Sequence, residues 1–368
     1  MRSHMRAMAG LALGSALVLG GCSTSTAPST FTDPAVTAAQ AAALDSALGA
    51  PAVTSFQAVG GQIELAPQVS RVAGAVRAMS LAQPGKDHYA ALAQQSKALG
   101  QVVPRFATAA ATGLFADSVK GWVFGWDTGQ GKYVRIATTG GPSNGVRFLL
   151  YEVNASGNIV TPPNQVGYAD LMDESVGGTA TLEIQIKNNA GTITYLDYIF
   201  SGSGTSTSFS ASVTGSISNG LAGGANKTLT FSVSIVGNTS SVTFTSSYSL
   251  NNPAVTVQET VMATDDGITT TLTLNFTFTR PVETVAIAGT IAVSDADLSA
   301  TFNLTFRLNG STLATVTGTT SSPVIARNGG GELTLAEREA LTALYLAAAD
   351  LTNHLNDMFA PAQNVLGL

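Results

Sequence analysis

The sequence predicts a mainly β protein with helices (α+β), in which one large antiparallel sheet is covered by helices from both ends of the chain. Three observations lead to this prediction. Apolar and polar residues alternate through most of the segment 118–322, as in strands with one dry face. Apolar residues recur at helical spacing before and after that segment. Dipeptides typical of hairpin turns, such as Asn219-Gly220 and Asn309-Gly310, separate the alternating runs.

Composition limits the class of protein. The chain has 368 residues, 45% of them hydrophobic, so a large core is available and global disorder is excluded. The net charge of −6, without a basic stripe, argues against a nucleic-acid-binding protein. One cysteine excludes an intramolecular disulfide and a cysteine-based metal cluster.

The N-terminus has the pattern of a secretory signal. Arg2 and Arg6 precede a short apolar run at 11–19. That run is too short to span a bilayer as a helix, which needs about 20 apolar residues. We therefore predict that residues 1–21 are a signal peptide.

The residues that close this segment are more specific. Leu19-Gly20-Gly21-Cys22 resembles the lipobox of bacterial lipoproteins, and Cys22 is the only cysteine of the chain. The resemblance implies that the Cys22 thiol receives a diacylglycerol, that the preceding peptide is removed, and that the new amino group is acylated, as by palmitate. The expected partner is the membrane, and the expected location is the bacterial cell envelope, at the outer membrane, its periplasmic face or the cell surface. Polar residues 22–33 would form a flexible tether.

The segment 34–115 is predicted to be helical. Proline is favoured in the first turn of a helix, so Pro34 begins a first helix, which Gly49-Ala50-Pro51 would stop. Apolar spacing predicts two further helices over 67–81 and 87–103. Their apolar faces are narrow and rich in alanine, so we expect them to pack on the sheet and not to form a core alone.

The segment 118–322 contains roughly fourteen alternating runs, each typical of a strand with one dry face. Most gaps between runs are as short as hairpin turns, which predicts a continuous antiparallel meander. A last helix is predicted over 333–360. Thr334 and Glu337 have the spacing of a capping box, an apolar stripe that includes Leu351 follows, and Pro361 ends the helix.

A sheet of this size must also bury its dry face. Open sheets rarely exceed about ten strands without curling, splitting into a sandwich or closing into a barrel. The flanking helices are natural covers, so the expected architecture is a curled, half-barrel-like sheet, with 34–360 as one domain. At the level of architecture this resembles half-barrel lipid-binding lipoproteins. A transmembrane barrel is a weaker alternative, because the chain ends in a predicted helix and its two tryptophans lie on one strand.

Few residues suggest catalysis. Removal of the signal peptide would leave His88 and His354 as the only histidines, and no nucleophile motif or paired-histidine metal motif occurs. We therefore expect no enzyme activity, no cofactor and no metal centre. One acidic cluster, Asp170, Asp173 and Glu174, could form a cation site, because Ca²⁺ takes six to eight oxygen ligands.

These observations predict a non-catalytic binding protein for an apolar or lipid-like ligand. The dry face of the sheet would form the binding surface, through Leu272, Leu274, Phe276, Phe278, Phe302, Leu304 and Phe306. The helices offer mainly alanine in return, which fills little volume, and an apolar cavity takes apolar guests. The alternative function is a structural or adhesive cell-envelope lipoprotein with a filled core. A transmembrane barrel and an enzyme are weaker alternatives.

Overall fold

A computed structural model describes most of the predicted sheet and parts of its helical flanks. The residues that it describes are 30–43, 51–59, 113–205, 207–238 and 240–344. The predicted signal peptide, Cys22, the helices expected at 67–81 and 87–103, and the part of the last helix beyond 344 lie outside these residues. None of the helices in the described ranges has the length and apolarity needed to cross a membrane.

One open sheet of fifteen strands dominates the described residues, and three helices flank it. The helices are α1 (Pro34–Ala43), α2 (Pro51–Val59) and α3 (335–344). The strands are β1 Val123–Asp127, β2 Lys132–Ala137, β3 Gly145–Tyr151, β4 Gln165–Asp173, β5 Ala180–Lys187, β6 Thr194–Gly204, β7 Ser208–Ser218, β8 Thr228–Asn238, β9 Ser241–Asn251, β10 Ala254–Asp265, β11 Thr269–Arg280, β12 Glu283–Ser294, β13 Ala300–Leu308, β14 Ser311–Thr319 and β15 Ser322–Arg327.

The strand order confirms the predicted meander from β3 to β15, where every strand is antiparallel to its sequence neighbours. The prediction was wrong for the first strands, because β1 lies between β2 and β3 and is parallel to β3. The loop after β2 therefore passes the start of β1, where the Gly141 N–H donates to the Gly121 carbonyl. A Cβ at Gly141 would lie 2.6 Å from the Trp122 carbonyl oxygen, so only glycine permits this approach.

The N-terminal residues dock on the sheet at the turn between β11 and β12. Phe31 is buried, the Thr32 N–H donates to a Glu283 oxygen at 2.7 Å, and the Thr37 hydroxyl donates to the other Glu283 oxygen at 2.7 Å. Glu283 is itself buried and forms an ion pair with Arg280 at 3.1 Å. Residues 30–33, expected to be the end of the flexible tether, are thus fixed against the sheet.

Helix α2 covers another part of the same core. It lies against strands β3 to β6, and Ala52, Val53 and Phe56 are buried there. Pro51, expected to stop a helix, instead begins α2, because its missing N–H costs nothing in the first turn of a helix.

Helix α3 begins with the predicted capping box. The Glu337 carboxylate accepts from the Thr334 N–H at 2.8 Å, and the Glu337 N–H donates to the Thr334 hydroxyl at 3.2 Å. Arg327, the last residue of β15, donates to both Glu337 oxygens at 2.7 and 3.0 Å. The side chains of Leu333, Ala340 and Leu344 are buried. The end of the sheet and the start of α3 are therefore held as one unit.

Candidate binding face

The seven residues predicted to line a binding surface lie on one face of the sheet, which we call the inner face. Three rows run across β11, β12 and β13, and each row joins residues that are directly opposite one another in the register. The rows are Leu272–Ile291–Phe302, Leu274–Gly289–Leu304 and Phe276–Ile287–Phe306. Phe278 follows on the same face of β11, opposite Val285. Leu272, Leu274, Phe276, Phe278 and Leu304 are buried, whereas Phe302 and Phe306 are partly buried against the same core.

Burial is uneven along the strands of the inner face. At the end of the sheet that contains the β11–β12 turn, side chains such as Leu196 and Leu229 retain at most 1% of their accessible surface. In the middle rows Phe244 retains 8% and Ile287 retains 9%, whereas Leu272, closer to the opposite end, retains none. The tightly packed end is also the end where residues 31–37 dock. Some apolar surface therefore stays accessible in the middle rows of the inner face.

Two polar residues lie side by side in the middle of the apolar inner face. Glu259 on β10 lies between Ser246 on β9 and Phe276 on β11, all three in one cross-strand row. Ser246 is buried, and its hydroxyl has no hydrogen-bond partner among the described residues. Glu259 is half-buried, and desolvation by the protein that surrounds it raises the pKa of its carboxyl to about 7.

Glu259 is not among the residues predicted to line the site, although the sequence contains a signal for it. In the alternating run of β10, the inner-face positions are Val255, Val257, Glu259, Val261 and Ala263. A glutamate at an apolar position of such a run is unusual, because burying an unpaired carboxylate is costly. This pattern identifies Glu259 without any motif.

The acidic residues of the expected cation site are each engaged with other partners. On the outer face, Asp170 accepts two hydrogen bonds from Arg147, at 2.6 and 2.8 Å. Asp173 accepts from the N–H groups of Leu114 and Ser175 at 2.7 and 3.0 Å.

The third member, Glu174, accepts from the Asn144 side chain at 2.8 Å. Within the described ranges, no three histidine, cysteine, aspartate or glutamate side chains are grouped so that they could hold a metal ion. The structure therefore does not assemble Asp170, Asp173 and Glu174 into a cation site.

The Arg147–Asp170 pair has a structural role that the sequence did not reveal. The Arg147 guanidinium lies 4.0 Å from the centre of the Tyr168 ring, and its hydrogen bonds with Asp170 raise the pKa of Arg147. The pair joins opposite positions of β3 and β4 and so fixes their register.

Comparison with known proteins adds no relative: no protein-family model matches the chain, and no curated protein or solved structure shows significant similarity to it.

Proposed function

We propose that this chain is a membrane-anchored bacterial lipoprotein whose folded domain binds an apolar or lipid-like ligand on the inner face, without catalysing a reaction. One observation carries the proposal. The inner face presents continuous apolar rows across β11, β12 and β13, and part of the surface of Ile287, Phe302 and Phe306 in these rows stays accessible. A surface of this kind suits a ligand held by burial of apolar area.

The proposal includes a curled sheet with the helices on its inner face. Two contacts support this arrangement. Helix α2 packs on β3 to β6, whereas residues 31–37 dock at the β11–β12 turn, and both belong to the same apolar core. A helical segment that reaches both regions of a fifteen-stranded sheet is expected to bring them toward each other.

We expect C22S to release the protein from the membrane into the soluble fraction. The substitution removes the thiol that would carry the diacylglycerol, and two or more acyl chains are what makes such anchoring stable. The measurement is fractionation of cells that produce each protein, with Ser23→Ala as the matched control that keeps the thiol. Membrane retention of C22S equal to that of the control would contradict lipid anchoring through Cys22.

The binding function is tested with a neutral apolar fluorophore, N-phenyl-1-naphthylamine, titrated into the soluble C22S protein. We expect saturable binding at micromolar concentrations. Ile287→Trp, which adds bulk to the inner face, should weaken binding at least about tenfold, because an apolar group of this size fills the space that the ligand needs. Ile199→Trp places the same side chain at a position that is 40% exposed on the outer face and should leave binding unchanged.

Two results would contradict this function. One is the absence of saturable fluorophore binding by a correctly folded C22S protein. The other is equal binding by both tryptophan variants. Either result would favour the structural or adhesive lipoprotein with a filled core.

A further inference from the structure

We infer that Glu259 and Ser246 form the polar end of the binding site and that the ligand is an aliphatic chain with a single amine head group. The inference rests on the proposed function, because it assumes that a ligand occupies the inner face. It adds a chemical class that the apolar rows alone do not define.

The register places the two polar groups together. Ser246 and Glu259 are directly opposite each other on β9 and β10, and the side chains of opposite residues have Cβ atoms about 4.5–5.5 Å apart. The other direct neighbours of Glu259 on this face are Phe276 across β11, and Val257 and Val261 along β10. None of these neighbours is charged, so the carboxylate and the hydroxyl form one polar spot in an apolar surface.

Both groups lack a side-chain partner within the part of the sheet that the structure describes. The Ser246 side chain retains 1% of its accessible surface, and its hydroxyl makes no hydrogen bond among the described residues. Glu259 makes no hydrogen bond or ion pair to any side chain within those ranges, yet it keeps accessible surface. A polar group in this position costs free energy unless a partner is supplied. A valine would have continued the alternation of β10 without that cost.

The chemistry of the pair favours an amine over other head groups. An ammonium donates three hydrogen bonds, so it can donate one to the Glu259 carboxylate and one to the Ser246 oxygen. Hydrogen bonds between ionised partners are about twice as strong as neutral ones. Above the pKa of Glu259, a fatty acid would instead bring a second carboxylate to an ionised Glu259, which like-charge repulsion disfavours. An alcohol is uncharged, so at most one partner of each hydrogen bond that it forms with this pair would be ionised.

The test compares three ligands of equal chain length, dodecylamine, dodecanol and dodecanoic acid, as competitors of N-phenyl-1-naphthylamine on the soluble C22S protein at about pH 8.5, where a carboxyl with a pKa of about 7 is ionised. We expect dodecylamine to displace the fluorophore at a concentration at least about tenfold lower than the other two, a difference that one charge-assisted hydrogen bond can supply. Glu259→Gln should remove this preference and leave dodecanol unchanged. Glu183→Gln, a half-buried glutamate on the outer face of β5, should leave all three unchanged.

The outcomes separate the two proposals. If no ligand and no fluorophore binds, the proposed function fails. If dodecanol or dodecanoic acid competes as well as dodecylamine, or Glu259→Gln keeps the amine preference, the fluorophore site stands and the amine assignment is wrong. Should Glu259→Gln not fold, Ser246→Ala decides the question: we expect it to weaken dodecylamine binding at least about threefold, and an unchanged amine preference would overturn the inference.

Discussion

Glu283→Ala is expected to lower the free energy of unfolding by about 3–5 kcal/mol, the usual cost of removing one partner of a buried ion pair. The Arg280 and Glu283 side chains retain only 5% and 1% of their accessible surface, so the substitution leaves a buried guanidinium without its carboxylate. It also removes the acceptor of the Thr32 N–H and the Thr37 hydroxyl. The loss therefore combines an uncompensated charge with detachment of the N-terminal residues.

Urea denaturation of the C22S protein with and without Glu283→Ala measures this effect. Glu339→Ala, at an exposed position of α3, is the matched control and should change the free energy of unfolding by less than about 0.5 kcal/mol. Limited proteolysis of the native protein gives a second measurement, since residues 30–43 should be cleaved faster in Glu283→Ala. A loss below about 1 kcal/mol with unchanged proteolysis would show that this docking contributes little to the fold.

Phe56→Ala should lower the free energy of unfolding by about 3–5 kcal/mol, as expected for truncation of a buried phenylalanine. Phe56 retains none of its accessible surface and belongs to the core that α2 forms with β3 to β6. The substitution removes apolar contacts and leaves a cavity under the helix. Thermal and urea denaturation are the measurements.

The control for Phe56→Ala is Ile136→Ala on the edge strand β2, where the isoleucine is 55% exposed. This control should change stability only slightly, because little apolar surface is buried there. If Phe56→Ala and Ile136→Ala had the same small effect, α2 would be peripheral to the fold and the proposed helical cover would lose its main support.

Local patterns predicted much of this fold. The alternation in β11 and the spacing of Thr334 and Glu337 each depend on residues close in sequence, and both predictions are confirmed. The position of β1 beside β3 could not be predicted in this way, because alternation shows that a strand forms but not which strand it pairs with. The close approach at Gly141 that permits this order is a contact between separate segments.

The candidate site was predictable to a similar degree. The apolar rows follow from alternation, so the seven predicted residues share one face. That Glu259 lies opposite Ser246 could be recognised only from the register of β9 and β10. The pairing of Asp170 with Arg147 could be recognised only from the register of β3 and β4. In the sequence alone, Asp170 has the pattern of a free carboxylate that could bind a cation.

The docking of residues 31–37 at Glu283 has a consequence for the order of folding. From β3 to β15 each strand pairs with the strand next to it in sequence, so the sheet can grow hairpin by hairpin through short loop closures. The hydrogen bond from Thr32 to Glu283 instead joins residues 251 positions apart. Residues 31–37 are synthesised before β11 and β12, so they can reach their final position only after these two strands have formed. Until then, Phe31 and the apolar residues of α1 stay exposed, and such transiently exposed apolar surface is the part of a folding chain that is most prone to aggregation.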